Sequence, residues 1–124
     1  MKNKEYISFI RMIEYIDKAL KYTKNYNYEQ FCKDEKTIDA TVFAISQIGE
    51  LVKNISKETM KKYSNIEWNM IKGLRNRIVH DYDGISLKSI WFVLENDLEQ
   101  LKEDIQMIID DDKKEKQKDE SSEN

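Results

Sequence analysis

The stretch SLKSIWFVLENDLEQLKEDIQMIID (residues 86–110) carries the most regular pattern of the chain and decides its fold class. Apolar residues recur in it at steps of three and four, the period of one face of an α-helix. The same period predicts helices over 4–23, over 35–58, and from a cap at Ser64 or Asn65 to about residue 80. Four helices with short connections predict an all-α, up-and-down four-helix bundle. The predicted inner face of the last helix consists of Ile90, Val93, Leu94, Leu98, Leu101, Ile105 and Ile108.

Composition supports a few long helices in one domain. The 124 residues include no proline, only three glycines and 36% charged side chains, which disfavours a turn-rich β fold. Cys32 is the single cysteine, so no intrachain disulfide is possible, and a cytoplasmic location is expected. No apolar run approaches the roughly 20 residues that a membrane-spanning helix needs, so no membrane association is expected. We predict a helical bundle over 4–110 and a disordered charged tail over 111–124.

Charge is unevenly distributed along the chain. The net charge of −3 argues against a nucleic-acid partner when taken alone. Residues 51–80 nevertheless hold seven lysines and arginines against two glutamates, and this basic segment contains the only histidine, His80. A solvated lysine face is an equally good explanation of such a segment.

The basic segment ends in GLRNRIVHDYDGIS (residues 73–86), where the helical pattern meets the Asp83–Gly84 turn signal. On a helix, Asn76 and His80 share a face, because four residues advance the helix by about 40° beyond one full turn. Arg75 lies five residues before His80, about 140° round the axis. The two side chains would meet only if the helix ends there or if another subunit shares the site.

These residue types suit metal-free RNA cleavage. Histidine can give and take a proton near neutral pH, and guanidinium groups bind phosphate and stabilise the charge that develops during its displacement. One histidine, one cysteine and no clustered carboxylates make no convincing metal site, so no metal and no cofactor is predicted. Cleavage benefits from both a base and an acid, and a two-fold dimer would supply two copies of His80. The plain alternative is a histidine that only caps its helix.

The run WNMIKGLRNRIVHDY (68–82) resembles the signature of HepT-like toxins of the HEPN superfamily. The R-x4-H-x-Y motif of that family falls on Arg75, His80 and Tyr82, with its usual asparagine at Asn76. Further segments resemble the family in the same order, so the similarity covers roughly residues 4–109. These segments are YEQF (28–31), AISQIGE (44–50), IW (90–91) and DLEQL (97–101).

The resemblance implies a homodimer with a composite active site, and a metal-independent ribonuclease whose catalytic residues are Arg75 and His80. It also implies a toxin–antitoxin system in which a minimal nucleotidyltransferase (MNT) antitoxin attaches AMP to Tyr82. Added phosphates beside Arg75 and Arg77 would place negative charge where RNA phosphates should bind. We expect Asn76 and Arg77 to position the RNA substrate.

Two questions stay open at the level of sequence. Glu50, in the IGE segment, either orients His80 or Arg75 across a helix pair or faces solvent opposite the apolar stripe. The whole bundle could also be a non-catalytic adaptor that binds the nucleotidyltransferase or nucleotides. The intact set of arginine, asparagine, histidine and tyrosine favours the ribonuclease, since an adaptor has no need of all four groups.

Overall fold

The structure is a computed structural model that describes residues 1–80 and 86–122. Within these ranges, residues 75, 77–80 and 120–122 are described by their backbone alone. The described residues form α-helices and one 3₁₀ turn and include no strand, so the predicted all-α class is confirmed. The helices are α1 (Asn3–Tyr22), α2 (Tyr28–Cys32), α3 (Glu35–Leu51), α4 (Lys57–Lys62), α5 (Trp68–His80), α6 (Leu87–Asn96) and α7 (Leu98–Ser122), with the 3₁₀ turn at Val52–Asn54.

α3 lies at the centre of the packing. It contacts both α1 and α5, while α7 packs against both α1 and α6. The core side chains come from these long helices, and the largest fully buried ones include Phe9, Ile45, Ile71 and Ile105. The apolar stripe predicted for the last helix, from Ile90 to Ile108, lies in the core, whereas α1 buries Phe9 and Met12 and leaves Ile7 48% exposed.

The predicted second helix is divided in the structure. α3 ends at Leu51, the chain continues through the 3₁₀ turn, and α4 begins after Ser56, whose hydroxyl caps it by accepting from the Thr59 N–H at 3.2 Å. The Ser56 N–H is captured by a carboxylate oxygen of Glu5 at 2.6 Å. This contact comes from a distant part of the chain, so no local pattern could have predicted the break.

Two further boundaries differ from the prediction. A capping box between Asn27 and Gln30 starts the short helix α2, which lies outside the predicted helices. The last predicted helix is split at Asp97, which ends α6 with its N–H on the Val93 carbonyl and precedes α7. Asn96 and Asp97 both favour helix ends over helix interiors, which explains the interruption.

Part of the segment after residue 110 is described as helix, and the predicted disorder of the tail stays a prediction. α7 continues to Ser122, and its distal half touches the rest of the chain. Tyr63 donates to Asp111, Lys62 pairs with Glu115, and Asp112 is buried. Contacts with α4 and the residue that follows it thus stabilise a segment whose composition alone predicts disorder.

Among the described residues, no helix is both long and apolar enough to span a membrane.

Candidate active site on α5

The motif-bearing helix α5 is anchored at its start. The Trp68 indole N–H donates to the carbonyls of Met60 and Tyr63, at 3.1 and 3.0 Å, and its ring lies 6.3 Å from that of Phe9. Buried Trp68 and Leu74 define the inner face of α5, which packs against α3. The rotation of α5 about its axis is therefore fixed by core packing.

α5 runs without a break to His80, so the predicted spacing of the motif holds along one helix. Arg75 and His80 are five helical residues apart, about 140° round the axis. Asn76 is exposed, as expected of a group that contacts a substrate. The side chains of Arg75, Arg77 and His80 and the whole of Tyr82 lie outside the described part of the molecule, so their predicted roles stay predictions.

The face of α5 that bears Gly73 is not covered by the described part of this chain. A Cβ placed on Gly73 would meet nothing within 4 Å. Gly73, Asn76 and His80 are helical positions within about 60° of one another, so this open face is the one that carries the histidine position. The described residues leave it accessible to a macromolecule from outside the chain.

Glu50 lies near the end of α3, the helix against which α5 packs. One carboxylate oxygen, Oε2, is 3.0 Å from the Lys53 ammonium, and the side chain is 31% exposed. The other oxygen, Oε1, is buried. Glu50 is therefore not simply a solvated glutamate, and its expected role in orienting Arg75 or His80 stays a prediction.

The lysines that precede the motif differ in their availability. Lys53 is paired with Glu50, and Lys62 is paired with Glu115. Lys57 and Lys61 are exposed on α4. The basic segment thus contains lysines paired with carboxylates and lysines that form no ion pair with a described carboxylate, and both kinds are exposed.

The described residues contain no group of three or more histidine, cysteine, aspartate or glutamate side chains placed to hold a metal ion. A cavity of about 650 Å³ lies between the start of α1 and α4 and is lined by Glu5, Ser56 and Lys62 among others. Glu5 already uses its carboxylate there to hold Ser56 and Thr59. This cavity lies apart from α5, and nothing in it matches the motif chemistry.

One surface cluster was not singled out by the sequence analysis. Arg11, Tyr15 and Lys18 lie on the outer side of α1, with Phe43 of α3 beside them. The spacing of four and three residues along α1 is the signal that could have revealed its first three members. The fourth member depends on how α1 and α3 pack, which the sequence does not disclose.

Comparison with known proteins agrees with the motif. The profile of the family "Ribonuclease HepT-like" matches residues 12–108. A protein of Methanocaldococcus jannaschii named "Putative RNase MJ1216" is 32% identical over 100 residues, which cover 81% of this chain and 83% of the relative. "Probable ribonuclease HepT" of Thermococcus cleftensis is 29% identical over 100 residues, which cover 81% of this chain and 89% of the relative.

A third relative, "Putative RNase TTE0752" of Caldanaerobacter subterraneus, is 32% identical over 90 residues, which cover 73% of this chain and 80% of the relative. No solved structure matches the chain significantly. The region matched by the family includes α3 and α5, the two helices that carry the predicted site, and the all-α bundle agrees with it. The chain therefore belongs to the HepT-like ribonuclease family.

Proposed function

We propose that this protein is a metal-independent endoribonuclease that acts as the toxin of a toxin–antitoxin system. His80 transfers the proton while the 2′-hydroxyl of RNA attacks the adjacent phosphorus. The bond from phosphorus to the 5′-oxygen breaks, leaving a 2′,3′-cyclic phosphate and a 5′-hydroxyl that takes up a proton. Arg75 stabilises the charge on the phosphate oxygens, and Asn76 and Arg77 hold the substrate.

The observation that carries the proposal is the open face of α5. The family motif lies on a helix fixed by core packing, and the face at Gly73 and Asn76 is uncovered by the described chain. A nuclease needs its reacting groups on a firmly held element that a long polymer can reach. The family match supports ribonuclease chemistry at this helix.

A homodimer completes the proposed site. Arg75 and His80 are about 140° apart on one helix, so two copies of α5 meeting across a two-fold axis would bring both residue types, twice, into one cleft. Two histidine copies then provide a base and an acid. The open space that the described chain leaves at Gly73 supports this placement, because a glycine lets another backbone approach closely.

Regulation is proposed to act on Tyr82, two residues beyond the end of α5. An MNT-family nucleotidyltransferase antitoxin would attach AMP to its phenol in the cytoplasm. The added phosphate would compete with RNA for Arg75 and Arg77, and the nucleotide would fill the cleft. Removing the phenol with Tyr82→Phe should leave a ribonuclease that the antitoxin cannot silence.

The deciding experiment uses the full chain expressed alone, with a mixed-sequence RNA in EDTA. Wild type should cut, His80→Ala should lose cleavage by at least about 100-fold, and Lys88→Ala, an exposed lysine on α6, should cut normally. Mass spectrometry of Tyr82 accompanies the assay, since a modified protein would be inactive for a different reason. A folded, unmodified dimer that cuts no RNA would overturn the proposal in favour of the adaptor.

A further inference from the structure

Tyr15 on α1 is held between two cations. The Arg11 guanidinium carbon is 5.9 Å from the ring centroid, and the Lys18 ammonium is 5.3 Å from it. Arg11 also donates a hydrogen bond to the Tyr15 hydroxyl at 3.4 Å. Arg11 and Lys18 are both exposed, so the ring is flanked by positive charge that faces solvent.

Phe43 extends this cluster onto α3. Its ring meets the Tyr15 ring edge-on, with 6.2 Å between centroids and an interplanar angle of 76°. Phe43 is 57% exposed, which is the largest exposure among the large hydrophobic residues singled out at the surface. Phe43 therefore presents more than half of its surface to water, and an exposed aromatic ring offers a flat surface for another planar group.

The two cations remain available to an anion. Neither Arg11 nor Lys18 forms an ion pair with any carboxylate in the described ranges. The other lysines placed over rings differ, since Lys62 over Tyr63 pairs with Glu115 and Lys116 over Tyr6 pairs with Asp112. Arg11 and Lys18 thus contact an aromatic ring, and neither cation is paired with a carboxylate of the described residues.

We propose that Arg11, Tyr15, Lys18 and Phe43 form a binding site for single-stranded RNA, in which a base stacks on Phe43 and the flanking phosphates contact Arg11 and Lys18. Aromatic rings combined with unpaired cations are how proteins hold single strands without reading their sequence. This inference rests on the proposed ribonuclease function and adds to it a substrate class, unpaired RNA.

Charge favours RNA over a second copy of this chain as the occupant. A two-fold contact centred on this cluster would bring Arg11 and Lys18 against their own copies, and like charges in contact are unfavourable. Lysine is also depleted from the core of protein interfaces, where it would have to be desolvated. An RNA strand instead supplies both the planar bases and the anionic groups that the cluster lacks.

The position of Phe43 fits a strand that continues toward the motif. Phe43 and Glu50 are seven residues apart on α3, which places them on the same side of the helix and about 10 Å apart along its axis. α3 packs directly against α5. An RNA bound at Phe43 therefore needs to extend by only a few nucleotides along α3 to approach the motif helix.

The test measures binding separately from cleavage. The full chain carrying His80→Ala, which keeps RNA intact, is titrated with a single-stranded RNA of about 12 nucleotides that contains 2-aminopurine, long enough to cover a site of this kind. Adding Phe43→Ala should weaken binding about 10-fold and reduce the quenching caused by stacking. The matched control is Phe92→Ala, which removes a ring that is 52% exposed on α6 and should change neither.

The cations give a second readout. Replacing Arg11 and Lys18 together by alanine should reduce the slope of log affinity against log salt by about 1.4, which is about 0.7 for each phosphate that is no longer neutralised. Light scattering on the same samples should show an unchanged oligomeric state. Equal RNA affinities of the Phe43→Ala and Phe92→Ala proteins would overturn the RNA site. Dissociation of the dimer in the Phe43→Ala protein would also overturn it, because the cluster would then be a subunit interface.

The two proposals fail in different ways. If the chain with His80 intact binds the RNA at Phe43 but never cuts it, the ribonuclease proposal falls and the stacking site stands. If that chain cuts RNA while Phe43→Ala binds as tightly as its control, the stacking site falls alone.

Discussion

Glu5 shows how one buried carboxylate fixes a local boundary of the fold. It is 4% exposed and accepts hydrogen bonds from the Ser56 N–H at 2.6 Å and from the Thr59 hydroxyl at 3.0 Å. Burial is the largest single influence on its pKa and would raise it, but the hydrogen bonds from Ser56, Thr59 and Lys2 together hold the pKa below its ordinary value of 4.5. The ionised form is therefore the one that the fold prefers.

Glu5→Gln should lower the free energy of unfolding at pH 7 by about 1 to 3 kcal/mol, because charge-assisted hydrogen bonds are replaced by weaker ones. The folded pKa is depressed, so the contribution of Glu5 is present above about pH 4.5 and is lost as pH falls through the folded value. Urea unfolding should be measured at neutral pH and in acid, well below the ordinary pKa. The difference in free energy of unfolding between the variant and wild type should be smaller in acid.

Glu14→Gln is the control for this effect, since Glu14 lies on the same helix with its side chain outside the core. It should change stability little at either pH. If the difference in free energy of unfolding between Glu5→Gln and wild type stays constant into strong acid, the ionised carboxylate of Glu5 does not stabilise the fold as proposed.

Replacing Gly73 should affect stability and RNA cleavage in opposite directions. No atom of the described part of the chain lies within 4 Å of a Cβ at this helical position, so Gly73→Ala should raise the free energy of unfolding by up to about 1 kcal/mol. If a second copy or RNA approaches the backbone there, the added methyl group should reduce cleavage several-fold while the protein becomes more stable. Thermal unfolding and an RNA cleavage assay on the same preparation measure both quantities.

Glu103→Ala, at an exposed position inside α7 and away from the open face of α5, is the control. It should change stability little and leave cleavage unchanged. Full activity in a stabilised Gly73→Ala protein would show that no close approach occurs at this position.

At the scale of elements, the distal half of α7 depends on contacts with α4 and Tyr63. Tyr63 is 8% exposed, and burial followed by its hydrogen bond to Asp111 raises the pKa of its phenol. Lys62 pairs with Glu115 one turn further along α7. These contacts cross from the middle of the basic segment to a region that is rich in acids.

Ending the chain after Asp110 should lower the free energy of unfolding by about 1 to 3 kcal/mol, because the buried Tyr63 hydroxyl loses its acceptor and α7 loses its last turns. Ending it after Lys116 keeps Asp111 and Glu115 and should cost much less. Chemical denaturation of the two shortened proteins beside the full chain gives the comparison. Equal stability of all three would mean that the docked segment contributes nothing.

The long helices could be predicted from the sequence because each carries a complete apolar stripe. α1, α5 and the combined span of α6 and the first half of α7 all follow the pattern to within a few residues. The end of α3 could not be predicted, because it depends on Glu5 reaching Ser56 from 51 residues away. The contacts of Asp111 and Glu115 could not be predicted for a similar reason, since their partners Tyr63 and Lys62 are distant in sequence.

Some features of the candidate site could likewise be predicted from the sequence, and others could not. The positions of Arg75, Asn76 and His80 on one helix follow from local pattern and agree with the structure. The open space at Gly73 and the pairing of Glu50 with Lys53 depend on tertiary packing. The meeting of Phe43 with Tyr15 likewise depends on how α1 and α3 pack, which a periodic pattern does not specify.

At the scale of the whole molecule, the proposed composite site makes activity depend on pairing. If both copies of His80 are needed, mixing wild type with an equal amount of His80→Ala and allowing the subunits to exchange should leave about a quarter of the wild-type activity per total protein. Independent protomers would leave about half. Cleavage rates across a series of mixing ratios, with dimer exchange verified by mass spectrometry, distinguish a quadratic from a linear dependence.

The packing of α1 against α7 has a consequence for synthesis. The ribosome completes the motif helix α5 before it makes α7, which supplies Leu98, Leu101 and Ile105 to the core and pairs Lys102 with Asp17 of α1 at 2.7 Å. Until then, the side of α1 that α7 covers is exposed, and nascent chains in that state are handled by chaperones and proteases. A protein proposed to cleave RNA is thus expected to gain ribonuclease activity only after α7 has been made and has packed against α1.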